Sequence, residues 1–259
     1  MANGQNNLNI LGRWLQDILQ TAAFLTRLPV PLSADSKARP LANVAWAFPV
    51  VGLLVGGLAG LALLLGFQFG LHPLVCGLFA IGLQVLITGA LHEDGLADVA
   101  DGFGGGARVS DKLRIMRDSS IGSYGALALI FSITVRVGAL ASMMTPTTAV
   151  LALITAAAVS RAMMVALMSQ MEMARTDGLA AAAGKPAHDK MLVALGLAAV
   201  SAFLLLGAAG WSVLAVAAIA ALAVGWLAKR QIGGLTGDVL GTTQQVTEAA
   251  ALLCVAVVI

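Results

Sequence analysis

The chain has 259 residues, 59% of them hydrophobic and only 11% charged, and its net charge is +2. Soluble domains carry roughly a quarter charged residues, so apolar runs of about twenty residues here define a polytopic membrane protein. The small net charge excludes a nucleic-acid binder, and the alternation of an outer-membrane barrel strand is missing.

Residues 1–8 carry no basic side chain, so no cleavable signal is expected. Over residues 10–25, Ile10, Leu11, Trp14, Leu15, Ile18, Leu19 and Ala22 share one helical face, and Arg13, Gln16, Asp17 and Gln20 the other. Such a helix is too polar to span and should lie in the membrane interface. Pro29 and Pro31 end it. Seven spans are then expected, at 44–66, 73–91, 122–142, 149–170, 191–209, 211–228 and 239–259. Pro49 and the glycines at 52, 56, 57 and 60 predict a kinked or closely packed first span. Cys76 and Cys254 lie within apolar segments and read as small buried residues.

Basic residues set the orientation. Thirteen of the fifteen Lys and Arg lie in the N-terminal segment and in the loops 92–121, 171–190 and 229–238, Lys37 among them. The three opposite loops hold none. The positive-inside rule makes the basic side cytoplasmic, and with seven spans the C-terminus ends outside. Eleven acids, Asp35 included, fall on that same basic side.

The densest acidic stretch follows a run, Leu41 to Leu91, without a single Asp, Glu, Lys or Arg. It reads His92-Glu93-Asp94-Gly95-Leu96-Ala97-Asp98-Val99-Ala100-Asp101 and ends at Gly104-Gly105-Gly106. If the helix of the second span continues past Leu91, Asp94, Asp98 and Asp101 share one face at i, i+4 and i+7. Like charges so placed repel, and a hard cation such as Mg²⁺ would reverse that. Arg114 and Arg117 follow, and then a Ser/Gly-rich turn, Ser119 to Gly125, opens onto the third span. A helix N-terminus beside arginines suits a phosphate, and basic residues meeting lipid headgroups are the alternative. Near the end, Asp238 reads as an N-cap or a site residue, and Gly241, Gln244 and Glu248 form a polar stripe. An acid as deep as Glu248 needs a bundle interior or a cation, and Arg136 is its candidate partner.

The string His92 to Gly106, with Asp118-Ser119 and Gly122-Ser123-Tyr124-Gly125 after it, resembles the cobalamin synthase family, the adenosylcobinamide-GDP ribazoletransferases. Thr26-Arg27-Leu28-Pro29, Ala174-Arg175 with Gly178-Leu179, and Thr236-Gly237-Asp238 with Glu248 resemble its further blocks in order and spacing. The resemblance implies an all-α membrane enzyme that requires Mg²⁺. Adenosylcobinamide-GDP would be attacked by the 5′-hydroxyl of α-ribazole, or of its 5′-phosphate, with release of GMP. It further implies Asp94, Asp98 and Asp101 as metal ligands with Glu93 in support, and Asp101 or His92 as proton acceptor. Arg27, Arg114, Arg117 and Arg175 would meet phosphates, Asp118 would contact substrate, and Asp238, Gln244 and Glu248 would complete the cavity. Residues 1–43 then form the interfacial segment and 44–259 the bundle of one catalytic domain in the bacterial inner membrane, its site facing the cytoplasm. A homo-oligomer is left open. The acidic spacing also resembles the CDP-alcohol phosphotransferases, although Asp98 stands where that motif has Arg, and a cation-coupled transporter is the alternative of another class.

Overall fold

The computed structural model describes residues 2–31 and 39–259, with side chains described from residue 11 onward except Leu179. Asp35, Lys37 and the side chain of Ile10 lie outside the described residues. Among the described residues the fold has twelve α-helices: α1 (Ala2–Leu25), α2 (Leu41–Val44), α3 (Phe48–Gln68), α4 (Pro73–Thr88), α5 (Leu91–Gly105) and α6 (Val109–Ile115), followed by α7 (Ser123–Ser142), α8 (Pro146–Gln170), α9 (Leu179–Ala183), α10 (His188–Leu206), α11 (Ala209–Ile232) and α12 (Gly237–Val258). A 3₁₀ turn, Ala45–Ala47, joins α2 to α3. One parallel bridge, Met173 to Leu235, is the only β-type pairing among the described residues. The expected all-α membrane bundle is the fold.

Among the described residues, five helical segments are long and apolar enough to cross a membrane, and six if the bent pair α4 and α5 counts as one broken pass. The expected seventh, α12, has the length, but Gln244, Gln245 and Glu248 within it keep it outside that group. The polar residues are what disqualify it, and they are buried.

α8 is the axis of the bundle. Its sequence is rich in Ala and carries buried Ala156, Ala157 and Ala158 on consecutive positions, so neighbours approach it from every side. Gly52, Gly56 and Gly60 of α3, spaced four apart, lie against α8 at Ala157, Ile154 and Val150. Small residues in this pattern let two backbones touch, which in lipid replaces the hydrophobic drive of a soluble core. α3 is one uninterrupted helix with Pro49 in its first turn, so the glycines serve close packing and no kink is present.

The amphipathic helix α1 presents two distinct faces. Leu11, Trp14 and Leu15 point outward, whereas Asp17, Thr21, Ala22 and Leu25 turn to the bundle. Asp17, buried, accepts from Arg39 Nη1 at 2.6 and 2.9 Å and from Trp46 Nε1 at 3.0 Å. An apolar outer face and a latched polar inner face are what a helix lying between lipid and protein requires.

One junction differs from expectation in a way that shapes the site. The helix of the second span does not continue past Leu91: α4 ends at Thr88, and α5 leaves at 91° to it. Gly89 (φ 62°) and Ala90 (φ 57°) take left-handed backbone conformations at the break. Glycine tolerates that region freely, and alanine does so at a cost of about 1–2 kcal/mol. The guanidinium stem of Arg27 lies over Gly89, and Arg27 N–H donates to Ile87 O at 2.6 Å, so the start of the chain secures the bend.

A β-carbon on Gly52 would collide with the backbone of Ala157 and Ala158, whereas one on Gly57 would meet nothing within 4 Å. Gly52→Ala should therefore cost about 1–3 kcal/mol, or more, by forcing α3 off α8. Thermal unfolding in detergent should show a lowered Tm for Gly52→Ala and none for Gly57→Ala.

Candidate active site

The site is built on α5 and its crossing with α12. The two backbones meet at glycines: a β-carbon on Gly95 would stand 2.8 Å from Asp238 O, and one on Gly241 would stand 3.1 Å from His92 O. Thr242 Oγ1 completes the contact by donating to Gly95 O at 3.1 Å and to Asp238 O at 2.8 Å. Asp238 does not cap α12. Thr236 is the N-cap, accepting from Val239 N–H at 3.3 Å, and its hydroxyl also donates to Asp238 at 3.2 Å. Asp238 is thereby free to turn to Arg175, 3.5 Å away.

α5 sorts its acids into two directions. His92 and Glu93 are buried in the bundle, while Asp94 and Asp98 face open chambers. Asp98 lies in the field of Asp94, Asp238 and Asp101, with Arg175 the opposing charge. Four carboxylates against one guanidinium leave a surplus of negative charge along this edge. Oxygen donors in such surplus suit a hard divalent cation. Among the described residues, no three His, Cys, Asp or Glu side chains are already drawn together as a ligand set.

The remaining acids of the stretch are engaged. Asp101 accepts from Gly122 N–H at 2.7 Å and from Gly125 N–H at 2.9 Å. The N-terminus of α7, which the sequence opens to a phosphate, is thus satisfied by a carboxylate of the chain itself. Both glycines are required there, because a β-carbon at either would strike the Asp101 carboxylate. Glu93 Oε1 accepts from Gln245 Nε2 at 2.9 Å and stands 3.4 Å from Arg136 Nη2.

Behind α5 lies a buried charge network. Arg136 Nη1 is 3.5 Å from Glu248 Oε1, the partner expected from the sequence, and Arg161 Nη1 is 3.9 Å from Glu248 Oε2. Gln244 donates to Glu248, and Arg161 also donates to Ala157 O at 3.0 Å. Two cations and two anions balance. His92 Nε2, both polar atoms of the Gln84 side chain and Glu93 Oε2 face the same small cavity without a partner.

Two larger chambers flank α5. The more enclosed one lies between α1, α3, α8 and α12 and is lined by Phe24, Phe48, Met164, Met168, Leu240 and the polar group His92, Asp94, Arg175 and Asp238. The more open one is lined by Asp94, Asp98, Arg117, Asp118, Ser119 and Ser120, with Glu93 at its wall. Arg117 pairs with Asp177 at 2.6 Å. The hydroxyl and amide of Ser120 hold exposed Asp118 below the usual carboxylate range, so it stays charged. Arg114 is exposed at the end of α6 and lines neither chamber, and Gln244 and Glu248 line neither as well.

Sequence reasoning did not single out Gln84, Gln245, Met164 or Met168. Gln84 carried a signal, being a polar residue within the uncharged run from Leu41 to Leu91. The methionines carried none, because Met in an apolar span reads as packing.

The class of protein that the fold and this site define is a membrane helix bundle with a carboxylate edge between two chambers. The family model described as cobalamin-5-phosphate synthase matches residues 17–256, and the chain belongs to that family. A relative from Azorhizobium caulinodans, named adenosylcobinamide-GDP ribazoletransferase, is 46% identical over 93% of this chain and 95% of its own. Relatives of the same name from Mesorhizobium japonicum (94% and 93% covered) and Bradyrhizobium diazoefficiens (93% and 94%) are each 44% identical. No solved structure matches.

Leaving a buried charge without its partner costs about 3–5 kcal/mol. Glu248→Ala strands Arg136 and Arg161 and should lower the unfolding midpoint sharply, while Glu248→Gln keeps hydrogen-bonding oxygen in place and should fall between. A Glu248→Ala protein as stable as wild type would contradict the network.

Proposed function

We propose that the chain is an adenosylcobinamide-GDP ribazoletransferase: it joins adenosylcobinamide-GDP to α-ribazole or its 5′-phosphate and releases GMP, a late step of cobalamin biosynthesis. The family's description, with a 5-phosphate retained in the product, leaves the 5′ position out of the reaction. A ribose-ring hydroxyl then attacks the phosphorus nearer the cobinamide, the new O–P bond forms, and the bond to GMP breaks.

The observation that carries this reading is the carboxylate edge of α5, which looks onto both chambers beside Arg175 and Asp238. Displacing a nucleoside monophosphate from a pyrophosphate concentrates negative charge, and a bound Mg²⁺ would spread it and polarise the phosphoryl oxygens. Asp94 and Asp98, one turn apart on α5, and Asp238 across the helix crossing are the residues that would hold it. Glu93 and Asp101, implied as ligands by the family resemblance, have the engagements described above and support the edge from behind. Arg175 and Arg117 hold phosphate oxygens. Asp94 and His92 are the bases that line a chamber and can take the hydroxyl proton. The basic loops supply Arg117 and Arg175, and the positive-inside rule then turns the chambers to the cytoplasm, in a bacterial inner membrane.

The test is direct. Purified protein given labelled ribazole, adenosylcobinamide-GDP and Mg²⁺ should form a cobalamin product and GMP, and chelation should stop it. Asp94→Asn and Asp98→Asn should each lower turnover by about a hundredfold or more, as loss of a charge-stabilising group does, with folding unchanged. Product formation undiminished in both variants would remove the metal assignment, and no product from wild type would remove the activity.

A further inference from the structure

The two chambers differ in chemistry and share one residue. Among the described residues, Asp94 alone lines both. The enclosed chamber presents Phe24 and Phe48, stacked at 6.5 Å, and the thioethers of Met164 and Met168. Its polar groups, Asp94, His92, Arg175 and Asp238, come from α5, the 171–178 segment and the first turn of α12. The other chamber is more open and presents Arg117, Asp118, Ser119 and Ser120.

The two substrates of a ribazoletransferase differ in the same sense. Ribazole is a ribose bearing a flat, uncharged benzimidazole, with at most a single 5′-phosphate for Arg175 to meet, whereas the donor brings a charged pyrophosphate. A flat aromatic ring gains from burial against aromatic and thioether groups. A pyrophosphate in that chamber would lose its hydration without enough donors to replace it.

Resting on the ribazoletransferase reading, we propose that the enclosed chamber between α1, α3 and α8 is the acceptor subsite. It takes the benzimidazole between Phe48, Met164 and Met168, and sets the ribose at Asp94. The open chamber takes the donor's pyrophosphate beside Arg117, Ser119 and Ser120. Approach from two chambers to one carboxylate holds attacking oxygen and phosphorus together, and the effective concentration so gained drives the transfer. Met164 and Met168, both buried on the axial helix, are then specificity residues for the lower base.

Steady-state kinetics of the full-length enzyme in lipid nanodiscs, with each substrate varied in turn, test the assignment. Met168→Phe and Ala183→Leu, which fill the enclosed chamber, should raise KM for ribazole about tenfold or more and change KM for adenosylcobinamide-GDP less than about twofold. Met168→Ala opens space and should accept a nucleoside with a third fused ring that wild type turns over poorly. Ser119→Ala with Ser120→Ala should show the opposite pattern, with the donor KM rising. An acceptor KM unmoved in the filled variants, a donor KM raised in its place, or a Met168→Ala enzyme with wild-type base preference would each overturn the assignment. Activity that follows lipid chain length while the acceptor KM stays fixed would give the chamber to an acyl chain and overturn it as well. Wild-type turnover separates these outcomes from failure of the reaction itself, because only the latter abolishes cobalamin formation by the unaltered enzyme.

Discussion

Two guanidinium and two carboxylate groups sit inside the apolar bundle, and they tie α5, which carries the site, to α7, α8 and α12. Isolated, each would be expelled from this environment, because the energy of hydration lost on burial is several kcal/mol per ion. Together, Arg136, Arg161, Glu93 and Glu248 cancel. They come from α7, α8, α5 and α12, so neutrality is reached only when those four helices are brought to one register. Pairing thus specifies an arrangement that Ala and Leu contacts alone leave free to slide. The functional helix α5 is held by Glu93, and its neighbours on the other face are released for chemistry.

Close backbone contact then sets the exposed side of α5. The Gly95–Asp238 and Gly241–His92 approaches bring α5 against the start of α12, and a larger residue at either glycine would push the two apart. Asp238 reaches the same edge as Asp94 and Asp98 for that reason. The bend at Gly89 and Ala90 is the other half of the arrangement. It takes α5 out of line with α4 at 91°, so an acidic helix follows an apolar one without continuing its axis. Asp101, at the far end, spends its charge on α7, which locks the position of the turn from Ser119 to Gly122.

Much of this was legible in the residues. The helical class, the amphipathic N-terminal helix and the acid cluster follow from hydropathy, face patterning and a count of charges. The pairing of Arg136 with Glu248 follows from the cost of leaving either alone. Three features were not legible. The 91° break hides behind Gly89-Ala90, since an alanine gives no warning of a left-handed backbone. Glu93 differs from Asp94 by one position, and which way each faces depends on where α5 begins. The engagement of Asp101 with α7 is a contact between residues more than twenty apart, and periodicity reads only within a helix. Composition alone does not place the seventh span for a related reason: α12 buries its polar residues against α5, α7 and α8, and so need not be apolar to sit in the bundle.

The central claim is that α5 presents a carboxylate edge that takes a divalent cation between two chambers. Electron paramagnetic resonance of Mn²⁺ titrated into the purified protein in nanodiscs, without either substrate, measures that edge alone. Saturable binding that is lost in Asp94→Asn and in Asp98→Asn and survives in Glu248→Gln is the predicted result. Binding that is absent from wild type, or that is unchanged in both aspartate variants, would contradict it.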